Sequence, residues 1–416
     1  MDANATSPEA GRQPPTGAVP VPQLVVEDLR TEWFDGVVGI SAWMRGGPAG
    51  EGLRVRFRLH GAGMLDPTAT AFVPVAAVAA SWAGSDVVID APVDAVALAG
   101  ARRAITLLAG FGRDAGASVP SITASEVITD RGVIPAEVTP SGDSAGSEHV
   151  PDARDRHQIG LFFTRGIDST ATLLADADTV THLIGIDWVD PPYCTPGTEA
   201  VFASTRMAAA ERGLPLLRVT SNVRDLLDAG PGWRWAFGPV LASFGLAVAP
   251  MLSEVRISSA FGPGDPTGNS SQELLDPWWS SSQVAIVHRT ATRLDRTAVV
   301  AGDPWAMRWL KVCWMRSGDG NCGRCPKCLM TMTALYICGA GDQVASCFDA
   351  PLSAEAVWSS TQVPRVSALP IMQELVGSLH PDDPLRHAWE GAVSAAEQAM
   401  EAEKAVGAAT DTPGWE

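Results

Sequence analysis

The sequence has no run of lysine or arginine, and no uninterrupted apolar segment of the roughly 18 residues that a membrane-spanning helix requires. Without a basic tract, tRNA or DNA is a poor candidate partner, because a polyphosphate chain calls for a basic face. The formal net charge of −17 and pI of 4.8 point the same way. A small-molecule substrate is expected, with neither nucleic acid nor membrane as partner. The longest apolar stretch, residues 240–252, is interrupted and suits a buried helix. Residues 1–20 lack a basic start and an apolar core, and are rich in Pro, Ala, Gly and Ser, so they read as a disordered tail and not as a signal peptide. Cysteine is scarce, with seven in 416 residues, yet four of them fall within residues 313–328. Such crowding indicates metal ligation in a reducing cytoplasm.

A chain of 416 residues that is 46% hydrophobic and 19% charged has an ordinary globular balance and room for two or three domains. Residues 21–135 are expected to form a smaller N-terminal α+β domain, with strands at 24–27, 53–59 and 87–90 and a helix over 93–108. Arg54, Arg56 and Arg58 alternate with apolar residues, which fits a solvated strand face or a substrate-binding basic stripe. The glycines of 110–116 open no clear strand-helix-strand unit. Residues 136–157 have linker composition. After them, short apolar runs alternate with helical patterns through residue 345. That alternation predicts an α/β fold, a parallel twisted sheet with helices on both faces and ligands at the carboxyl ends of its strands. Residues 346–416 are expected to be helical. The Ala/Glu-rich pattern of 384–406 suits packing on the core or a homodimer contact.

Two motifs carry chemistry. Residues 159–163 read as a buried strand, Thr164-Arg-Gly166 as a tight turn and Ser169 onward as a helix start, with Asp168 or Ser169 as its cap. Strand, small-residue loop and helix N-terminus together make an anion cradle, because unpaired N–H groups and the positive end of the helix dipole face the loop. The second motif is Cys313, Cys322, Cys325 and Cys328, spaced C-x8-C-x2-C-x2-C. Four thiolates with no open position describe structural zinc, with an iron–sulfur cluster as the rival.

Thr164-Arg-Gly-Ile-Asp-Ser169 resembles the SGGxDS loop of the PP-loop ATP pyrophosphatases, the adenine nucleotide α-hydrolases. Thr164 stands for the usual Ser, Gly166, Asp168 and Ser169 fit, and Arg165 replaces the first Gly. The cysteine spacing is similar to the zinc site of 7-cyano-7-deazaguanine synthases. The segment after it also resembles a PP-loop family with a Cys-Gly-x-Cys-x-Lys-Cys-Leu motif. The likeness covers roughly residues 158–340 and leaves out the N-terminal unit and the tail. It implies a Rossmann-like domain over 158–345 that binds ATP and Mg²⁺ and adenylates a carboxylate or carbonyl, releasing pyrophosphate. A nitrogen nucleophile then gives an amide or nitrile.

On that resemblance Thr164, Gly166, Ile167, Asp168 and Ser169 hold the phosphates. Asp187 and Asn222, at the next two strand ends, reach adenine and ribose. Ser258, Ser259 and Asp276 lie on the substrate side. Apart from the resemblance, the long turn-rich loop over 260–283 is a candidate substrate lid, and His288, at a strand end, is a substrate-side candidate for a general base. Asp168 orients the loop or Mg²⁺, and Arg165 and Lys311 are candidate cations for the pyrophosphate. Two alternatives stay open. Sulfur transfer would use Cys194 as carrier. A degenerate nucleotide-binding scaffold would follow if Arg165 blocks the cradle.

Overall fold

The computed structural model describes residues 22–112, 116–129, 132–135, 157–187, 196–228, 230–259, 269–316, 318–361 and 365–409. The expected tail, the linker apart from His157, and Cys194 lie outside these residues. The first half carries strands β1 (Gln23–Phe34), β2 (Val37–Arg45) and β3 (Leu53–His60), helix α1 (Val73–Ala83), β4 (Asp86–Asp94), α2 (Ala95–Phe111), β5 (Ile122–Thr129) and β6 (Gly132–Pro135). β1 turns into β2 through Asp35-Gly36, both at positive φ (44° and 73°), the pairing a two-residue hairpin turn demands.

The second half runs β7 (Ile159–Phe162), α3 (Ile167–Ala175), β8 (His182–Asp187), α4 (Pro196–Glu211), β9 (Leu216–Ser221), α5 (Arg224–Leu227), α6 (Gly232–Ala247), β10 (Glu254–Ser258) and β11 (Ala285–Arg289). Helices then follow one another: α7 (Arg293–Ala301), α8 (Pro304–Trp309), α9 (Pro326–Ile337), α10 (Gly341–Cys347), α11 (Ala354–Ser360), α12 (Leu369–Ser378) and α13 (Pro384–Ala409).

All the strands join one sheet, in the order β11-β10-β7-β8-β9-β3-β2-β1-β4-β5-β6. From β11 to β9 every neighbour is parallel, as expected for this half. Here β7 is central, β8 and β9 add on one side, and the chain returns past β7 to lay down β10 and β11. This is a doubly wound arrangement, and its topological switch point lies between the carboxyl ends of β7 and β10. Along β7 and β8 the side chains alternate between two cores. Phe162 and Ile184 join the large one with α6, while Leu161 and Leu183 pack with Leu173 of α3 and Ala209 of α4. Helices therefore cover both faces.

The sheet is mixed as a whole, because the N-terminal strands, expected in an α+β domain of their own, extend the parallel half. β3 pairs antiparallel with β9, with Phe57 opposite Ser221 and Leu59 opposite Val219, so the N-terminal strands continue the same sheet. The reason lies in β3, whose Val55, Phe57 and Leu59 are buried in a core shared by both halves. Phe57 meets Phe72 at 5.3 Å and Phe244 of α6 at 5.2 Å, both edge-on. The C-terminal helices pack on the core side of α9. Trp389 of α13 is fully buried and donates its indole N–H to Thr333 at 3.0 Å.

Candidate functional site

Cys313 follows α8, Cys322 and Cys325 flank a turn, and Cys328 sits in the first turn of α9 behind Pro326. The turn requires Gly323, which has φ of 67° and whose added Cβ would lie 2.5 Å from the Ala350 carbonyl. The four sulfurs lie within 4.8 Å of one another, with Cys313 to Cys325 at 4.0 Å and Cys322 to Cys328 at 3.9 Å. Tetrahedral zinc with Zn–S bonds of about 2.3 Å implies sulfur–sulfur edges of about 3.8 Å. The donor set thus fits one metal ion such as zinc.

Backbone N–H groups of Arg324 and Cys325 donate to the Cys322 sulfur at 3.4 and 3.3 Å, as outer partners of a metal-bound thiolate do. Asn321 is the strut of the site. Its side-chain oxygen accepts from the N–H of Val312 and Cys313 at 2.8 and 3.0 Å, and its NH₂ donates to the carbonyls of Leu310 and Cys347 at 2.9 and 3.0 Å. Without a cation the thiols share protons unevenly. The hydrogen bond from Cys328 holds Cys325 down to about 5, while the same contact and burial push Cys328 up. A divalent cation would take the place of the shared protons. Cys338 and Cys347 stand apart, their thiols directed to the carbonyls of Leu294 and Met307.

The loop after β7 sits at the switch point. α3 begins at Ile167, two positions before the expected start, and its N-cap is Gly166, which has no side chain to cap with. Neither Asp168 nor Ser169 is the cap. Ser169 instead closes the loop from inside, its hydroxyl accepting the Thr164 N–H at 3.2 Å. The N–H groups of Ile167, Asp168 and Ser169 have no intrahelical acceptor, as at any helix start. The space beside Gly166 is open, since an added Cβ would meet only the Thr164 hydroxyl at 3.2 Å and the Lys311 carbonyl at 3.9 Å.

Arg165, expected either on a phosphate or across the cradle, is buried in the protein. It adopts a left-handed backbone conformation with φ of 60° and is 2% exposed. Its guanidinium reaches Asp319 at 2.5 and 3.3 Å and Thr205 at 3.1 Å. Lys311, the other expected cation, is also committed. Its Nζ donates to the carbonyls of Gly318 and Gly320 at 2.8 and 2.7 Å, and its N–H to the Arg165 carbonyl at 3.1 Å. Burial lowers its pKa from the usual lysine value. The cysteine site and the loop are therefore tied to each other through Arg165, Lys311 and Asp319.

The cations at Asp168 come from α7. Arg293 reaches its Oδ1 at 2.8 Å and Arg296 reaches the same oxygen at 3.2 Å. Arg296 also donates to the Ser259 carbonyl, joining the loop to the end of β10. Beside it the Ser258 hydroxyl is buried with no hydrogen-bond partner among the described residues.

The remaining candidates are dispersed. Asp187 pairs with Arg218 at 2.5 Å, and Arg218 also binds Glu199. Asn222 bonds the N–H of Arg56 and the carbonyl of Arg54, extending the β9–β3 junction. Asp276 and His288 find each other at 2.7 Å, with Ser271 on the same carboxylate oxygen, and burial raises the Asp276 carboxyl from its usual value. The described part of the expected lid is a packed strap. Ser270 accepts the Gly238 N–H, Leu275 and Trp279 are buried, and a Cβ on Gly100 of α2 would lie 2.0 Å from the Trp278 carbonyl. Among the three arginines of β3, Arg54 pairs with Asp28 and Arg58 lies 3.8 Å from Glu32.

Compared with protein-family models, with curated proteins and with solved structures, the chain finds no match in any of the three. The members of the site that sequence reasoning missed are Arg293, Arg296, Asp319 and Asn321. Only Asn321, adjoining Cys322, had a positional signal.

Proposed function

We propose that the chain is an ATP-dependent ligase that forms AMP and pyrophosphate. It would activate a small-molecule carboxylate or carbonyl as its adenylate and pass it to a nitrogen nucleophile, giving an amide or nitrile. The observation that carries this reading is the Thr164–Ser169 loop, which stands at the switch point of a doubly wound sheet and is bonded to a four-cysteine metal site. In the proposed reaction the acceptor oxygen attacks the α-phosphorus of ATP, and the bond to the β-phosphate oxygen breaks with release of pyrophosphate. The amine then attacks the activated carbon and AMP departs, leaving the amide; a nitrile would take a second ATP, with the amide oxygen leaving in AMP and the nitrogen losing its two protons. In this reading the N–H groups of Ile167 to Ser169 would hold phosphate oxygens, while the Ser169 hydroxyl braces the loop from within, so the protein contributes position and field. Mg²⁺ would supply charge neutralisation on the departing pyrophosphate. The cysteine-bound metal would stay structural, since no coordination position is left open.

Incubation with ATP, Mg²⁺, ammonia and a panel of carboxylic acids tests the reading. AMP and pyrophosphate that depend on the acid are expected, and ADP with phosphate would contradict it. The burial of Arg165 takes its side chain out of the cradle, so the engagement of Asp168 by Arg293 and Arg296 is what remains in favour of one second reading, a nucleotide-binding scaffold without turnover. Acid-dependent AMP formation separates the two.

A further inference from the structure

Two guanidinium groups converge on one carboxylate oxygen beside the loop. Arg293 is 6% exposed and Arg296 is 4% exposed, and both meet Oδ1 of Asp168. Each is fixed by further bonds. Arg293 donates to the Thr331 hydroxyl at 3.1 Å, and Arg296 to the carbonyls of Ser259 and, at 2.8 Å, Arg289. The Arg293 Nε–H is buried and has no acceptor among the described residues. The other nearby carboxylate, Glu374, takes the backbone N–H groups of Arg293 and Leu294 at 3.2 and 2.9 Å. Burial of two like charges that share one carboxylate oxygen, their other acceptors being neutral, leaves part of their desolvation uncompensated. An anion with several oxygens would compensate it, since guanidinium forks match phosphate geometry.

We infer that Arg293 and Arg296 form a clamp for the polyphosphate end of the ligand at the Thr164–Ser169 loop, and that Asp168 is an internal anion which this ligand displaces. The inference rests on the proposed function for where the nucleotide lies, and it gives Asp168 a second role. In the free protein its carboxylate holds the two arginines in place and keeps them from stray anions. When a polyphosphate arrives, the arginines transfer to it and the carboxylate is released to face solvent or a divalent cation.

This makes a prediction of unusual sign, testable with inorganic pyrophosphate as probe and no divalent cation present. Calorimetric titration of the full chain should show binding. Asp168→Asn, which removes the competing charge, should bind pyrophosphate roughly tenfold more tightly. Arg293→Gln and Arg296→Gln should each bind at least about tenfold more weakly. Arg293→Lys, which keeps the charge but loses the fork, should fall several-fold. Circular dichroism checks that each variant is folded, and if Asp168→Asn is not, the arginine variants carry the test. A folded Asp168→Asn that binds no better than wild type, arginine variants with wild-type affinity, or a wild type that ignores pyrophosphate would each overturn the clamp. Acid-dependent AMP formation without any of these responses would remove the clamp and leave the ligase reading in place. The full set of responses without AMP would do the reverse.

Discussion

Replacing Arg165 by glycine makes the loop look more like the PP-loop motif, and the structure says it should make the protein less stable. The Arg165 guanidinium is buried and bonded to Asp319, Thr205 and the Trp309 carbonyl. Removing one partner of a buried ion pair costs about 3–5 kcal/mol when the other is stranded. Asp319 keeps 35% of its side chain exposed, so water takes up part of its charge and the low end, about 3 kcal/mol, applies. Against this, glycine relieves a non-glycine residue at φ of 60°, worth about 1 kcal/mol. The net expectation for Arg165→Gly is a loss of about 2 kcal/mol. Arg165→Ala loses the same pair but keeps the strain, so it should fall about 1 kcal/mol further. Urea unfolding of the three proteins measures both steps. An Arg165→Gly protein as stable as wild type would refute the assignment of Arg165 as a buried strut between the loop and the metal site.

The pair also has a pH signature. Burial alone would raise the Asp319 carboxyl, yet hydrogen bonds from Arg165 and Ser204, with the charges of Arg165 and Lys311, hold it below its ordinary value of 3.8. A lowered carboxylate stabilises the fold above its unfolded pKa and loses that contribution as pH falls through the folded one. The gap between wild type and Arg165→Gly should therefore narrow below pH 3.8, and a gap that widens on acidification would contradict the pairing. Chelation should release one metal ion per chain, read by a colorimetric zinc indicator. After it, the four thiols that the metal had covered should become open to alkylation in a mass-spectrometric time course. Asn321→Ala removes four hydrogen bonds between the segments that carry the cysteines, so metal affinity should fall about 10–100-fold in competition with a chelator. Phe244→Ala should cost about 3–5 kcal/mol, with both halves unfolding in one transition because Phe57 and Phe72 share its pocket.

Much of this was legible in the sequence because it was written locally. Apolar runs bounded by turn residues placed β7 nearly where it lies and foretold the alternation of strands and helices after it, and cysteine spacing alone brought four sulfurs together. What the sequence hid was decided by pairs far apart in the chain. The alternation of β3 reveals a half-buried strand but not that its partner is β9, so the halves read as separate domains. Arg165 looks like an active-site cation until Asp319 and Thr205 come round to meet it. Arg293 and Arg296 lie three apart on one helix face, a pattern shared by many solvated helices, and only the fold turns that face toward Asp168. The α3 cap was misplaced because Asp and Ser are favoured caps in general, whereas here the turn is held from within by Ser169.

The most direct test is a crystal of the metal-loaded protein soaked with a non-hydrolysable ATP analogue and Mg²⁺. The account predicts triphosphate density against the N–H groups of Ile167, Asp168 and Ser169, within reach of Arg293 and Arg296. Nucleotide bound elsewhere, or a loop that stays empty at saturating analogue, would contradict it.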